Sequence, residues 1–243
     1  MLTALPLFTG AVLLGAAGAA TIYYATYAVR SQWIGPTIWH GRRDIEAVAL
    51  TFDDGPATDT DQLLTVLEAY GIKSTFFMIG QQIERFPQTA RRVAERGHEI
   101  GNHSYSHPVY LYRSARETRR QLELTQQIIR DVTGIRARFA RPPCGVRTPA
   151  YFRSARRLGL RTVQWDVAGF DWKGRSGEQI AQEVLHKVRA GSIILLHDGD
   201  SAEKQDRRET VVALPLIIEG LRARGLRVSP LCQLLKEEAK LAA

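Results

Sequence analysis

The feature that most constrains the fold is an alternation of short apolar runs with longer amphipathic runs, from about residue 45 to the end of the chain. Short apolar runs bounded by Gly, Pro or polar residues predict buried strands, and longer runs with a helical period predict helices. Strands that alternate with helices form parallel sheets covered by helices. Strands are predicted at 48–52, 74–79, 98–102, 137–141, 161–165, 193–196 and 226–228, and helices at 61–70, 87–96, 115–133, 149–158, 177–190, 208–224 and 231–241.

Two adjacent carboxylates, Asp53 and Asp54, follow the first predicted strand and are followed at once by Gly55-Pro56. The strand therefore delivers two acids to a turn. Asp-Gly-Pro alone is ordinary turn chemistry. However, two carboxylates that share one pocket repel each other, so a positive group must lie beside them if both point the same way.

Two histidines, His103 and His107, follow the third predicted strand at a spacing of four residues. Imidazoles at this spacing meet on one side of a helical turn or tight loop and can bind one divalent ion. With one carboxylate of the acidic pair they would form a face of two histidines and one aspartate. Such a face leaves coordination positions free for water and substrate.

Three further polar sequences come later in the chain, close to the ends of predicted strands. They are Arg141-Pro142-Pro143-Cys144-Gly145, the stretch 165–172 that ends in Asp171-Trp172, and His197-Asp198. Polar residues therefore leave at least five different strands at their carboxyl ends. An open doubly wound sheet and a closed barrel share the strand–helix alternation, but convergence from many strands favours the top face of a barrel.

In this order the five motifs resemble those of polysaccharide deacetylases of the carbohydrate esterase 4 type, the NodB-homology family. The motifs of that family read TFDDGP, H-[ST]-x-x-H, R-P-P-[YF]-G, D-W and L-x-L-H, and the resemblance covers roughly residues 45 to 235. It implies a distorted (β/α) barrel with fewer than eight regular units, which the seven predicted strands fit.

The resemblance also implies a role for each motif residue. Asp54, His103 and His107 would be the ligands of one divalent ion, with zinc expected and cobalt, nickel or another divalent ion as alternatives. Asp53 would be the catalytic base, oriented by Arg141. His197 would be the general acid, held charged and aligned by Asp171. Lys73 lies where some members have a basic residue that tethers this aspartate.

The substrate side is expected to involve Pro143, Cys144 and Trp172. The Cys144 backbone N–H would hold the oxyanion, and Trp172 would pack beside His197. Cys144 stands where the motif has an aromatic residue, so the backbone role can survive while an aromatic wall beside the substrate is lost. Ala168 stands where many members carry an acid, so the substrate preference is expected to differ.

The expected reaction is metal-dependent hydrolysis that removes N-acetyl groups from an N-acetylated polysaccharide or oligosaccharide and releases acetate. Two alternatives remain open at the level of sequence. A non-haem iron oxygenase uses the same face of two histidines and one carboxylate, and an inactive glycan-binding module would keep the fold without catalysis.

Composition limits the partners. The chain has 33 Lys and Arg against 25 Asp and Glu, a net charge of +8, which favours an anionic envelope or membrane surface. No recognisable nucleic-acid-binding motif is present, so nucleic acid is not an expected partner. Two cysteines in different elements, Cys144 and Cys232, do not predict a disulfide framework.

The N-terminal segment differs from the rest of the chain. Residues 1 to 29 carry no charged side chain, and a run of this length could cross a bilayer or serve as a signal. We expect three parts: a membrane anchor or signal at 1–30, a linker at 31–44, and the catalytic barrel at 45–243. The aromatic residues near the end of the N-terminal segment are of the kind found at membrane interfaces, and they favour an uncleaved anchor. Cleavage of the segment would instead give a secreted protein. Arginines after the segment favour a cytoplasmic barrel, whereas the expected glycan favours a barrel outside the cytoplasm.

Overall fold

The computed structural model describes the chain from residue 4 to residue 235, with side chains from residue 15 onward. Within these residues eight parallel strands form one sheet in the order β5-β4-β3-β2-β1-β7-β6, and β8 pairs with the start of β1. The strands are β1 (Ala47–Asp53), β2 (Thr75–Met78), β3 (Glu99–Asn102), β4 (Phe139–Ala140), β5 (Arg161–Thr162), β6 (Val167–Ala168), β7 (Ile193–His197) and β8 (Arg227–Val228).

The sheet curls into a half-barrel, which confirms the parallel (β/α) architecture predicted from the sequence. Its edge strands β5 and β6 are consecutive in the chain but do not pair with each other, so the sheet stays open there. The sequence did not predict β6, because two strand residues between polar neighbours are too short to give a periodic signal.

The helices are α1 (Ala4–Tyr27), α2 (Thr60–Ala69), α3 (Gly80–Arg85), α4 (Pro87–Glu95), α5 (Ala115–Thr133), α6 (Pro149–Arg157), α7 (Gly177–Lys187) and α8 (Arg208–Arg222). Helices α2 to α8 contribute buried side chains to the hydrophobic core around the sheet. The predicted bounds of α5 agree with the structure because both ends are marked: the Ser114 hydroxyl accepts from the Glu117 N–H, and Gly134 ends the helix at a φ of 72°. The short helix α3 was not predicted.

Strand β1 lies at the centre of the sheet, and its pairing with the neighbouring strands decides which site residues lie opposite each other. All seven of its residues are buried. It pairs with β2 and with β7 in parallel, and the register places Asp53 opposite His197 of β7. Two polar residues that lie 144 positions apart in the sequence therefore meet at the same edge of the sheet, where the carboxyl ends of the strands converge.

The apolar face of β1 anchors the larger hydrophobic core. Phe52 is fully buried and stacks on Phe76 of β2 with ring centroids 5.0 Å apart. We expect Phe52→Ala to lower the free energy of unfolding by about 3–5 kcal/mol, because it leaves a cavity in a packed interior. Chemical denaturation measures the change. Leu216→Ala, at a side chain that is 39% exposed, is the control and should change stability by about 0.5 kcal/mol or less; equal losses would contradict this account of the core.

The two ends of the chain lie only partly within the described residues. Helix α1 occupies most of the predicted anchor at 1–30, whose residues 1–3 lie outside the described part. Among the described residues, no helix has the length and apolar character needed to cross a membrane. Residues 231–235 of the last predicted helix are helical, and its remaining residues lie outside the described part.

Residues 31–44, predicted as a linker, run along the sheet edges. Ile38 forms a parallel bridge with Val163, and His40 forms an antiparallel bridge with Ser192. Arg43 forms an ion pair with Asp166 at 2.8 Å. These contacts join the segment to both sides of the open edge of the half-barrel.

Candidate active site

The acidic pair lies at the carboxyl end of β1. Asp53 is the last strand residue, and Asp54 takes a φ of 74°, in the left-handed region that non-glycine residues seldom adopt. This turn lets both carboxylates face one pocket: His103 Nε2 is 3.7 Å from Asp53 Oδ2 and 3.3 Å from Asp54 Oδ1. The sequence prediction that the turn gathers both acids is therefore met by the geometry.

Asp54, His103 and His107 form a compact trio of metal-type donors. Asp54 Oδ1 lies 3.3 Å from His103 Nε2 and 3.2 Å from His107 Nε2. His103 Nδ1 lies 2.8 Å from the Arg141 carbonyl oxygen, so its Nε2 is the nitrogen directed at the pocket. Both histidines come from the loop after β3, as the sequence predicted.

The donor set fits a divalent ion. Ligand atoms at about 2.0–2.2 Å from a zinc-sized ion lie about 3–3.5 Å from one another, which the two short Asp54–histidine distances match. Asp54 Oδ1 is also buried without a hydrogen-bond partner among the described residues. A buried carboxylate oxygen in that state is costly unless something else compensates it, and a cation would.

The three side chains of the trio shift one another's pKa values. Burial opposes the charged form of Asp54, but His103, His107 and His197 outweigh it and hold its pKa below the usual range. Burial lowers the pKa of His107 to about 4. Burial also opposes the charged form of His103, yet Asp53 and Asp54 raise its pKa. A metal at this site would therefore displace a proton from His103.

Arg141 is the positive group beside Asp53. Its fully buried guanidinium donates from Nη1 to Asp53 Oδ1 at 2.7 Å and to the Thr51 hydroxyl at 2.8 Å, and from Nη2 to the Gln164 carbonyl at 3.0 Å. The Phe77 ring lies 4.2 Å from its charged carbon. A buried ion pair adds little net stability, but these contacts fix the Asp53 carboxylate in one orientation.

A second buried pair lies next to the acids. Asp171 Oδ1 is 2.9 Å from His197 Nδ1, and Asp171 Oδ2 accepts from the His197 backbone N–H at 2.7 Å. Burial opposes the charged form of His197, but Asp171 prevails and raises its pKa to about 9. The Trp172 ring meets the imidazole edge-on with centroids 5.1 Å apart, as the sequence predicted for this residue.

The third motif forms a short turn at Pro143–Gly145. Pro143 is buried and Cys144 is exposed, with a φ of 54°. Partial burial and then the Asp54 and Asp53 carboxylates raise the pKa of the Cys144 thiol. The thiol is thus near the acids but disfavoured as a thiolate, which argues against a role as a nucleophile.

Three residues of the site were not predicted. Thr210 of α8 donates to Asp171 Oδ2 at 2.9 Å, and Arg207 helps to lower the pKa of Asp171, after the larger effects of burial and His197. Asp198 is buried and accepts from the Gly55 N–H at 3.1 Å and from the Thr60 hydroxyl at 2.7 Å. Of these three residues, only Asp198 could have been expected in the site from the sequence, because it directly follows His197.

The prediction that Lys73 tethers Asp171 is wrong. Lys73 is exposed and precedes β2, so it lies at the amino ends of the strands, whereas Asp171 lies with the carboxyl ends. Arg207 instead supplies the positive charge near Asp171. The family resemblance alone suggested this role, although the predicted strand at 74–79 already placed Lys73 at the amino end of that strand.

The structure thus combines a parallel half-barrel with a trio of metal-type donors and two buried ion pairs at the carboxyl ends of its strands. The sequence profile of the polysaccharide deacetylase family matches residues 40–163. The chain belongs to the polysaccharide deacetylase family.

Curated relatives agree with this assignment. One peptidoglycan-N-acetylglucosamine deacetylase of Bacillus cereus is 39% identical over 74% of this chain, which spans 65% of that protein's length. A second from the same organism is 35% identical over 83% of this chain and 94% of the relative. A chitooligosaccharide deacetylase of Azorhizobium caulinodans is 34% identical over 76% of this chain and 92% of the relative.

Solved structures share the fold. A peptidoglycan N-acetylglucosamine deacetylase in complex with an N-oxidanyl-benzamide superposes with a TM-score of 0.79 at 35% identity, covering 82% of this chain and 92% of the other. A CE4 family pseudoenzyme from Bacillus anthracis superposes with a TM-score of 0.74 at 29% identity, covering 82% and 68%. Because a pseudoenzyme shares this fold, the side chains of the site have to decide the question of activity.

Proposed function

We propose that this protein is a metal-dependent deacetylase that hydrolyses the N-acetyl group of N-acetylglucosamine residues in a glycan. The observation that carries the proposal is the convergence of Asp54 Oδ1, His103 Nε2 and His107 Nε2 beside an Arg141-held Asp53. The names of the curated relatives support this class of substrate.

Three residues would hold one divalent ion, for which zinc is the proposed native metal: Asp54, His103 and His107. When bound, such an ion polarises an amide carbonyl and lowers the pKa of a water molecule. Asp53 removes the proton from the attacking water. Its carboxylate suits this role because Arg141 fixes one oxygen, Oδ1, while Oδ2 faces the pocket.

The remaining steps stabilise charge and supply a proton. The backbone N–H of Cys144 donates to the developing oxyanion. An amine cannot leave as an anion, so the leaving nitrogen needs a proton, which His197 gives. His197 suits this role because Asp171 keeps it protonated at neutral pH. Pro143 and Trp172 contribute to the walls around the acetyl group and the imidazole.

The alternatives are less well supported. An iron oxygenase would use the same donor trio but has no use for the Asp53–Arg141 pair or for the proton on His197. An inactive glycan-binding module is favoured by the loss of a functional residue. In this chain each motif residue that the deacetylase chemistry uses through its side chain is present.

The role of His197 gives a prediction of pH dependence. With Asp171 present, the pKa of His197 is about 9, so the imidazole is protonated below that value and loses its proton above it. Asp171→Asn removes the charge and lets the pKa fall toward its ordinary value, near 6.5. We therefore expect the alkaline limb of the kcat profile to move to lower pH. The rate at pH 8 should fall more than roughly tenfold relative to the rate at pH 6.

Trp172→Phe is the matched control, because it changes the packing against His197 without removing a charge. A bound metal ion lowers the starting pKa in all of these proteins, so the difference between profiles is the quantity to compare. An alkaline limb that stays in place in Asp171→Asn would show that His197 is not the proton donor.

The substrate class can be tested with a panel of glycans. The full chain is incubated with peptidoglycan, N-acetylglucosamine oligomers and O-acetylated xylan, and the released acetate is measured. The proposal expects acetate from the two N-acetylated substrates, with one free amine for each acetate. Release from the O-acetylated glycan alone would assign an ester hydrolase instead.

A further inference from the structure

The Cys144 turn (Pro143–Gly145) takes a backbone conformation that other contacts have to hold. Cys144 has a φ of 54° and Gly145 a φ of 70°, so two successive residues lie in the left-handed region. A residue with a Cβ is strained there, and it keeps this conformation only where its surroundings determine it. The geometry of Cys144 therefore depends on what fixes the turn.

The hydrogen bonds within the turn leave one backbone donor free. The Gly145 N–H donates to the Pro142 carbonyl at 2.9 Å, and the Val146 N–H donates to the Pro143 carbonyl at 3.0 Å. In the described part of the chain no atom accepts from the Cys144 N–H. This N–H is thus the donor that the turn can offer to a developing oxyanion.

Two buried side chains hold the carbonyl at the end of the turn. The Gly145 carbonyl oxygen accepts from Gln164 Nε2 at 2.7 Å and from Arg147 Nη1 at 2.9 Å. Gln164 and Arg147 are both fully buried. A carbonyl oxygen can only accept, so the amide nitrogen of Gln164 is the atom that faces it. The glycine allows this close approach, since a Cβ at residue 145 would lie 3.3 Å from Gln164 Nε2.

The backbone of Gln164 is fixed independently of its side chain. Its carbonyl accepts from Arg141 Nη2 at 3.0 Å, and its N–H donates to the Ile38 carbonyl at 2.7 Å. One buried residue therefore contacts both the arginine that holds Asp53 and the turn that carries Cys144. Replacing its side chain leaves the bond to Arg141 in place.

Arg147 has a further role that Gln164 does not share. Its Nη2 donates to the carbonyls of Ala28 at 2.6 Å and Ser31 at 3.2 Å, which lie at the end of α1. A change at Arg147 would therefore also release this segment. The Gln164 amide has the Gly145 carbonyl as its one hydrogen-bond partner among the described residues, because its Oε1 has none.

We propose that Gln164 is a positioning residue of the deacetylase: its side-chain amide holds the Gly145 carbonyl and thereby keeps the Cys144 N–H in the orientation that stabilises the oxyanion. This inference rests on the proposed function, because it assigns a new residue to the same reaction. Gln164 acts through the turn and does not touch the substrate. A donor that is fixed in advance needs no reorganisation as charge develops, so a loosened turn lowers kcat and not substrate affinity.

The test removes the amide without changing the backbone. Gln164→Met keeps the length of the side chain but cannot donate. For the N-acetylglucosamine tetramer and the full chain, kcat is expected to fall about tenfold, less than on loss of an oxyanion donor, because Arg147 still holds the carbonyl. KM should stay within about twofold of the parent value. The metal content should equal that of the parent.

A second variant and a control separate positioning from folding. Gln164→Asn is polar but too short to reach the Gly145 carbonyl, so it should lose kcat to the same extent as Gln164→Met. Val163→Ala is the matched control, because this neighbouring side chain is also fully buried and belongs to the hydrophobic core. It should lower the temperature of unfolding and leave kcat unchanged. Thermal unfolding shows that each variant is folded.

A substrate analogue shows whether the loss passes through the oxyanion. In the N-thioacetyl form of the tetramer, sulfur replaces the carbonyl oxygen and accepts hydrogen bonds only weakly. The loss of kcat in Gln164→Met should then shrink to less than about threefold for thioacetate release, because the same interaction is not removed twice. A tenfold loss with both substrates would place the effect elsewhere in the site and overturn the positioning role.

The remaining outcomes distinguish the role of Gln164 from the reaction. Acetate release by the parent, with kcat lowered in both Gln164 variants and with KM and metal retained, supports both. Unchanged kcat in the folded variants overturns the positioning role and leaves the deacetylase function standing. Loss of metal together with kcat also overturns it, because the effect then passes through the metal ligands. A metal-loaded parent that releases no acetate overturns the proposed function, and the positioning role with it.

Discussion

Replacing Asp54, His103 or His107 by alanine is expected to remove both the bound divalent metal and the release of acetate. Each substitution takes away one of three protein ligands, and a site with two ligands no longer encloses the ion. Asp54→Ala should have the largest effect, because it removes the one anionic ligand, whose Oδ1 lies 3.3 Å from His103 Nε2 and 3.2 Å from His107 Nε2. Metal content is measured by elemental analysis of the purified full chain, and activity by acetate release.

His186→Ala is the control for these substitutions. His186 is an exposed histidine on α7, so its replacement should change neither quantity. The three ligand variants should stay folded, since they remove polar side chains at one edge of the sheet and leave the hydrophobic core intact. One equivalent of metal retained by all three variants would refute the ligand assignment.

Asp53→Asn is expected to keep the metal and the fold but to lower kcat about a hundredfold or more, the effect of losing a general base. Asparagine has nearly the same shape and can still accept from Arg141 Nη1 through its amide oxygen, but it cannot take a proton from water. The two neighbouring acids should therefore give opposite results for metal content and the same result for turnover.

The control is Asp54→Asn, at the adjacent residue of the same turn. This variant should lose metal as well as turnover, because an amide is a poorer ligand than a carboxylate for a divalent ion. A site that empties in Asp53→Asn and stays filled in Asp54→Asn would mean that the two roles are reversed.

Much of the site could be predicted because its residues stand in ordered motifs next to recognisable strands. Asp53, His103 and His197 each end or follow a strand that the apolar pattern marks, and parallel strands bring their carboxyl ends to one edge. The alternation of strands and helices therefore predicted which motif residues converge. It could not predict that the β1–β7 register places Asp53 opposite His197, because register depends on pairing across the whole chain.

Interactions between residues that lie far apart in the sequence and outside the motifs were not predicted. Thr210, in the first turn of α8, donates to Asp171 from 39 positions away in the sequence, and Arg207, 36 positions away, helps to lower its pKa. Neither residue belongs to a motif. Lys73 was paired with Asp171 from the family resemblance alone, although it precedes β2 and so lies at the opposite end of the sheet. The two-residue strand β6 and the six-residue helix α3 are too short for a periodic pattern to mark.

The contacts of the N-terminal segment could not be predicted from its composition. An uncharged run suggested only an anchor or a signal, yet the end of α1 makes specific contacts with the Cys144 turn through Arg147. Nothing in the run itself indicates this, because the partner that determines it is a buried arginine 119 positions later.

A divalent ion held by Asp54, His103 and His107 is proposed to support removal of the acetyl group from a glycan nitrogen. The most direct measurement is the rate of acetate and free-amine formation from the N-acetylglucosamine tetramer by the full chain, first after chelation and then after zinc is added back. We expect both products to form in equal amounts, their formation to stop on chelation, and the rate to return with about one equivalent of zinc per chain. Equal rates in the chelated and the zinc-restored protein would contradict it.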